Sequence, residues 1–175
     1  PPSADRVEAE AWDDLAHVLV LRLAEAAQTS MDAFERVAFV GNLGLLMNAG
    51  EVHGDAYLKA LGHFGDDPEP EVVSATISAL QGVQSALVPD DLKAPFAEYV
   101  RRTLSPALER IGYERKPGED EAIGTMRGEL ITWLARRGRD EKVMAFARSA
   151  AKRYLADPAS VDPGIVDAVL RLYAA

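Results

Sequence analysis

The feature that most constrains this chain is its punctuation. Apolar residues recur at three- and four-residue spacing, and proline, glycine and aspartate break that pattern at short intervals. Val73, Ile77, Leu80, Val83 and Leu87 form one such stripe, which is the signature of a helix with one buried face. No stretch sustains the alternation of a half-buried strand, so no sheet is expected. The boundaries have helix-end chemistry. Ser30 precedes one stretch as an N-cap, with Asp32 and Glu35 in the first turn, and Asn48-Ala49-Gly50 closes it. Asp67-Pro68 and Asp162-Pro163 open others, as a capping side chain beside a proline in the first turn, and Pro89-Asp90-Asp91 opens a further one. Pro106 lies inside a stretch ending at Gly112 and is expected to kink or break it. Tyr113 to Glu121, with Pro117-Gly118, reads as the longest loop, and Gly138 separates two helices by a tight connection.

The expected fold is therefore all-α. About eight helices would form antiparallel hairpins, stacked as a HEAT/armadillo-like right-handed array. The segment from Phe34 to Met47 favours stacking. Phe34, Val37, Ala38 and Leu45 fall on one side and Phe39, Leu43 and Leu46 on another, so both faces should be covered, with Gly41 and Gly44 permitting close backbone approach. No strict internal period is present, so any repeat is structural. Residues 1–175 are read as a single helical-repeat domain. The opening Pro1-Pro2, in place of a methionine, reads as a piece of a larger protein.

Composition narrows the functional classes. The formal net charge is −9, with no basic stripe, which argues against nucleic acid as a partner. The absence of cysteine removes thiolate chemistry and cysteine-ligated zinc. The most apolar stretch, Leu15 to Ala27, contains His17, Arg22 and Glu25 and is too short and too charged for a membrane segment. No targeting signal is present, and cytoplasm and periplasm both remain open.

Catalytic chemistry finds little material. The three histidines, His17, His53 and His63, form no HExxH pair and read as lone surface or turn residues. No GxSxG, P-loop or dinucleotide fingerprint occurs. Asp13/Asp14, Asp66/Asp67 and Asp90/Asp91 read as caps and first-turn charges at helix edges. Trp12, Phe34, Phe39, Tyr99, Trp133, Phe146 and Tyr154 read as core. Two arginines stand apart. Arg36 precedes the run Val37 to Val40, and Arg127 lies between Ile123 and Ile131. An arginine among apolar helix positions needs carboxylate or carbonyl partners, so both are candidate structural anchors between helices.

Several stretches together carry a resemblance. Arg36-Val37-Ala38-Phe39-Val40-Gly41-Asn42-Leu43-Gly44-Leu45-Leu46-Met47-Asn48-Ala49-Gly50 resembles a motif in the C-terminal helical domain of the alanyl/puromycin-sensitive (gluzincin) zinc aminopeptidases. Trp12 with Leu15, Leu104-Ser105-Pro106 through Gly112-Tyr113, Gly118-Glu119 with Met126-Arg127, and the tail from Tyr154 to Val169 are similar to that domain in the same order. Asn42 stands where the family usually has Asp, and is carried over as a third anchor with Arg36 and Arg127. Tyr113 stands where Trp is usual. The resemblance implies a non-catalytic domain that closes over the active site and walls the peptide-binding chamber. It implies the catalytic domain of the same polypeptide as partner, and peptide substrates in the parent. Catalytic, cofactor-binding and metal residues would be absent here, with zinc in an upstream domain. The competing reading is a free-standing helical-repeat protein-interaction adaptor.

Overall fold

The computed structural model describes residues 4–174, with side chains described from Leu15 onward. Eight α-helices make up nearly all of it: α1 (Ala4–Ser30), α2 (Ala33–Ala49), α3 (Gly54–Leu61), α4 (Pro70–Leu87), α5 (Lys93–Ile111), α6 (Glu121–Arg136), α7 (Glu141–Ala156) and α8 (Pro163–Tyr173). Two 3₁₀ turns, Asp90–Leu92 and Pro158–Ser160, precede α5 and α8. Among the described residues there is no strand. The all-α expectation therefore holds. The chain divides into two compact units, one up to Ala79 and one from Leu80 on, and the division falls inside α4.

In the first unit α3 packs against both α1 and α2. Its core is largely aliphatic, with Val20, Ala24, Ala27, Val40, Leu43, Ala60 and Leu61 buried beside the aromatic Tyr57 and Phe64. In the second unit α6 is central, packing on α5, α7 and α8, while α7 also packs on α8. Leu104, Leu108, Met126, Leu130, Ile131, Leu134 and Ile165 fill its interior.

Local chemistry corrects several sequence expectations. Ser30 is not the cap of α2. It belongs to α1, where its hydroxyl donates to the Ala26 carbonyl. Asp32 is the cap: its Oδ1 accepts from Glu35 N–H at 2.8 Å, and Glu35 Oε2 accepts from Asp32 N–H at 2.9 Å, a reciprocal capping box. Gly50 closes α2 at φ 81, as its sequence context anticipates. Asp67-Pro68 does not start α4 directly, because the helix begins at Pro70 and Asp67 is engaged elsewhere. Pro106 does not break α5, which runs unbroken from Lys93 to Ile111. It withholds one N–H from the Arg102 carbonyl, and burial of Thr103, Leu104, Ala107 and Leu108 around it offsets that loss. Asp13 and Asp14 lie within α1, not at its edge, and their side chains, like that of Trp12, fall outside the described residues.

The two-faced burial expected of α2 is not found. Val40 and Leu43 are buried, but Phe34 is 81% exposed and Leu45 67% exposed. Nor do Gly41 and Gly44 mark a close approach: a Cβ on Gly41 would have nothing within 4 Å, and one on Gly44 would meet Tyr57 Oη at an ordinary 3.5 Å. The close approach occurs between α6 and α8. A Cβ on Gly128 would stand 2.9 Å from the Gly164 carbonyl oxygen, and one on Gly164 would stand 3.2 Å from the Gly124 carbonyl carbon.

Candidate functional site

Burying a guanidinium removes its hydration, so its N–H groups must all be matched by acceptors nearby. The two arginines singled out by their apolar surroundings are the buried cations among the described residues. Arg127 is 0% exposed and Arg36 is 7% exposed. Arg127 projects from the middle of α6 into a cage of acceptors. Its Nη2 donates to both oxygens of Glu119, at 2.6 and 2.7 Å, and its Nε donates to the Gly112 carbonyl at 2.9 Å. Its Nη1 reaches Asp162 Oδ2 at a longer 3.4 Å. Asp162 uses its other oxygen to cap α8, accepting from Gly164 N–H at 3.0 Å. One side chain thus ties the end of α5, the loop before α6 and the start of α8 to α6.

Arg36 plays the same geometric part in the first unit. Its Nη1 donates to the Met31 carbonyl at 2.8 Å and its Nη2 to Asp67 Oδ1 at 3.0 Å. Its Nε lies 2.8 Å from Asp67 Oδ2, a charge contact whose angle departs from hydrogen-bond geometry. Asp67 is itself 0% exposed, and its Oδ1 also accepts from Glu69 N–H at 3.0 Å. The turn between α1 and α2 is thereby joined to the turn that leads into α4. Asn42 takes no part. It is exposed on α2, and the carboxylate that meets Arg36 comes from Asp67.

The histidines are not as isolated as their spacing suggested. The His17 and His53 rings lie 4.6 Å apart, and His17 Nε2 accepts from His53 N–H at 2.9 Å. This fixes the start of α3 against α1. His63 is exposed in the turn after α3. Zinc, which the resemblance implies for the parent, does not fit these residues: among the described residues no group of three or more His, Cys, Asp or Glu could hold a metal ion. The aromatic residues read as core are also redistributed. Phe34 is exposed, while Phe39, Tyr99, Trp133, Phe146 and Tyr154 are half-buried. Phe39 leans on Phe64 and Tyr113 on Phe146, at ring separations of 5.7 and 4.5 Å. Desolvation, reinforced by the nearby Asp140 and Glu109, pushes the Tyr113 hydroxyl above its ordinary pKa.

Sequence reasoning missed a basic recess in the second unit. It has a volume of about 200 Å³ and is lined by Gln84, Val88, Lys93, Phe96 and the three arginines Arg136, Arg137 and Arg139. Its sequence signal was the run Arg136-Arg137-Gly138-Arg139, at the end of α6 and in the turn that follows. Among the described residues, no helix is long and apolar enough to cross a membrane.

The arrangement therefore has the hallmarks of a braced helical scaffold: two buried arginines, each held by acceptors from more than one segment. No solved structure matches the chain. Residues 9–175 match the family described as the ERAP1-like C-terminal domain. That match spans nearly the whole sequence, including every segment on which the aminopeptidase resemblance rested. The chain belongs to the ERAP1-like C-terminal domain family, the helical C-terminal domain of an aminopeptidase.

Proposed function

We infer that this chain is the non-catalytic C-terminal domain of a zinc-dependent aminopeptidase, which closes over the active site and walls the chamber that receives peptides. The observation that carries this reading is the family match over residues 9–175. The lack of any metal-holding cluster among the described residues supports placing the chemistry elsewhere in the parent. The upstream catalytic domain of the same polypeptide is then the partner and peptides are the substrates. Zinc there would supply the activated water that attacks the peptide carbonyl. The share of this chain is to exclude bulk water and hold a rigid wall in place. Stacking of its helices as a right-handed HEAT-like array, within a single domain, belongs to the same reading. Arg36 and Arg127 are anchors that keep the wall rigid rather than contacts for substrate.

The test uses the purified chain and a separately produced catalytic portion of the parent, with aminoacyl-p-nitroanilides as substrates. The chain alone should turn over no substrate with added zinc, and mixing the two portions should raise the activity of the catalytic portion. Stoichiometric zinc with sustained turnover by the chain alone would overturn the proposal. So would a catalytic portion whose activity on peptides of every length is unchanged by the chain. That second result would favour the adaptor reading.

A further inference from the structure

The basic recess of the second unit has no part in that reading and carries an inference of its own. The chain as a whole is acidic, at −9, yet four cations converge on this one concavity. Lys93 comes from the first turn of α5, Arg136 from the last turn of α6, and Arg137 and Arg139 from the turn joining α6 to α7. Two nearby carboxylates do not balance all four cations, since Asp90 answers Lys93 alone and Asp140 serves as a helix cap. Asp90 pairs with Lys93 at 2.6 Å, and Asp140 accepts from Lys142 and Val143 N–H as the cap of α7. Arg136 donates to the Arg171 carbonyl at 3.0 Å, which spends one N–H without neutralising the charge. Among the described residues, neither Arg137 nor Arg139 has a carboxylate partner.

The turn that presents these arginines is held in a definite shape. Arg139 adopts φ 50, a left-handed conformation that an arginine occupies at a cost and that asparagine or glycine would take more readily. Gly138 is sterically required, since a Cβ there would stand 2.6 Å from the Leu134 carbonyl oxygen. Arg101 donates to the Gly138 carbonyl from α5 and braces the turn from below. The left-handed conformation at Arg139 closes α6, with the Asp140 N–H donating to the Leu134 carbonyl at 3.0 Å, and it fixes where the arginines stand.

We propose that the recess formed by Lys93, Arg136, Arg137 and Arg139 binds a polyvalent oxyanion of the phosphate class. A single carboxylate offers one planar fork and one charge. A tetrahedral phosphate group offers acceptor oxygens in several directions, so it can meet Lys93 on one side and the arginine turn on the other. Phe96 and Val88 form an apolar flank that lowers the local dielectric and strengthens those contacts.

The experiment is a calorimetric titration of the whole chain with inorganic pyrophosphate, with acetate as the single-carboxylate control, at low and moderate salt. Saturable binding is expected for pyrophosphate, at least about tenfold tighter than for acetate, and weakening as salt rises. Arg137→Gln/Arg139→Gln should weaken it by about tenfold or more, whereas Arg148→Gln, on α7 outside the recess, should leave it unchanged. Arg139→Gly separates binding from folding, because the left-handed backbone accepts glycine. It should keep the thermal midpoint and still lose affinity. Absence of saturable binding, equal binding of acetate, or unchanged affinity in the double variant would each overturn the proposal. None of these outcomes depends on whether the parent is an aminopeptidase.

Discussion

At the residue scale, the two buried guanidiniums dominate the energetics, because an error there leaves a charge without a counter-charge in a dry environment. Replacing Arg36 by methionine leaves Asp67, fully buried, without its ion-pair partner. Replacing Arg127 strands Glu119 and Asp162 together, two carboxylates whose side chains are 6% and 8% exposed. Breaking one side of such a pair costs about 3–5 kcal/mol. Both Arg36→Met and Arg127→Met should therefore lower the thermal midpoint of the isolated chain, with Arg127→Met the larger loss. The double variant Arg36→Met/Asp67→Leu should recover much of the deficit, since the pair as a whole contributes far less than its orphaned half costs. Differential scanning calorimetry of the three proteins checks this. An Arg36→Met protein with unaltered stability but changed peptide affinity would assign that residue to substrate instead. The two arginines were legible in sequence because each interrupts an apolar helical stripe. Their partners were less so. Asp67 lies 31 residues from Arg36, and Asp162 lies 35 from Arg127, distances at which no periodicity connects them. Glu119, only eight residues away, fell within the Gly118-Glu119 piece of the resemblance but was not singled out as the partner of Arg127.

At the element scale, helix type and number followed from caps and period, while the faces of the helices did not. Periodicity tells which residues align on a helix but not which side is covered. Phe34 and Leu45 are as apolar as Leu43, yet only Leu43 is buried. Glycine placement failed for the same reason: a helical glycine signals close approach only if a neighbour is there to approach. Gly41 is exposed with nothing near its missing Cβ, whereas Gly128 faces the Gly164 backbone. The two positions should therefore respond in opposite directions to the same substitution. Gly41→Ala gains helix propensity at no steric cost and should stabilise by about 1 kcal/mol at most. Gly128→Ala gains the same propensity but drives a methyl group into a carbonyl oxygen that is itself backbone. It should destabilise by about 1–3 kcal/mol, because α6 and α8 must separate. Denaturant melts of the two variants, compared at equal m-value, decide the matter. A stabilised Gly128→Ala would show that α6 and α8 do not approach as closely as the structure places them.

At the scale of the whole molecule, the sequence pointed to one continuous array, and the contacts resolve two compact units whose division lies within α4. Nothing in the pattern of α4 marks that point, because the apolar stripe from Val73 to Leu87 runs through it without a break. Each anchor is complete within one unit: Arg36, Met31 and Asp67 lie in the first, and Arg127, Gly112, Glu119 and Asp162 in the second. A buried charge that is balanced locally destabilises locally when its partner is lost. Native-state amide exchange should therefore localise each defect. In Arg127→Met the amides of α6, the start of α8 and residues 112–120 should exchange faster, while α2 and α3 keep their protection. In Arg36→Met the loss should appear in α2, α3 and the turn at Asp67, while the interior of α6, around Leu130 and Leu134, stays protected. Protection lost evenly across both units in either variant would mean that the chain opens only as one cooperative body. The anchors would then act on global stability alone. A localised loss means instead that the wall proposed for the peptide chamber is assembled from two independently braced pieces, each held by one arginine.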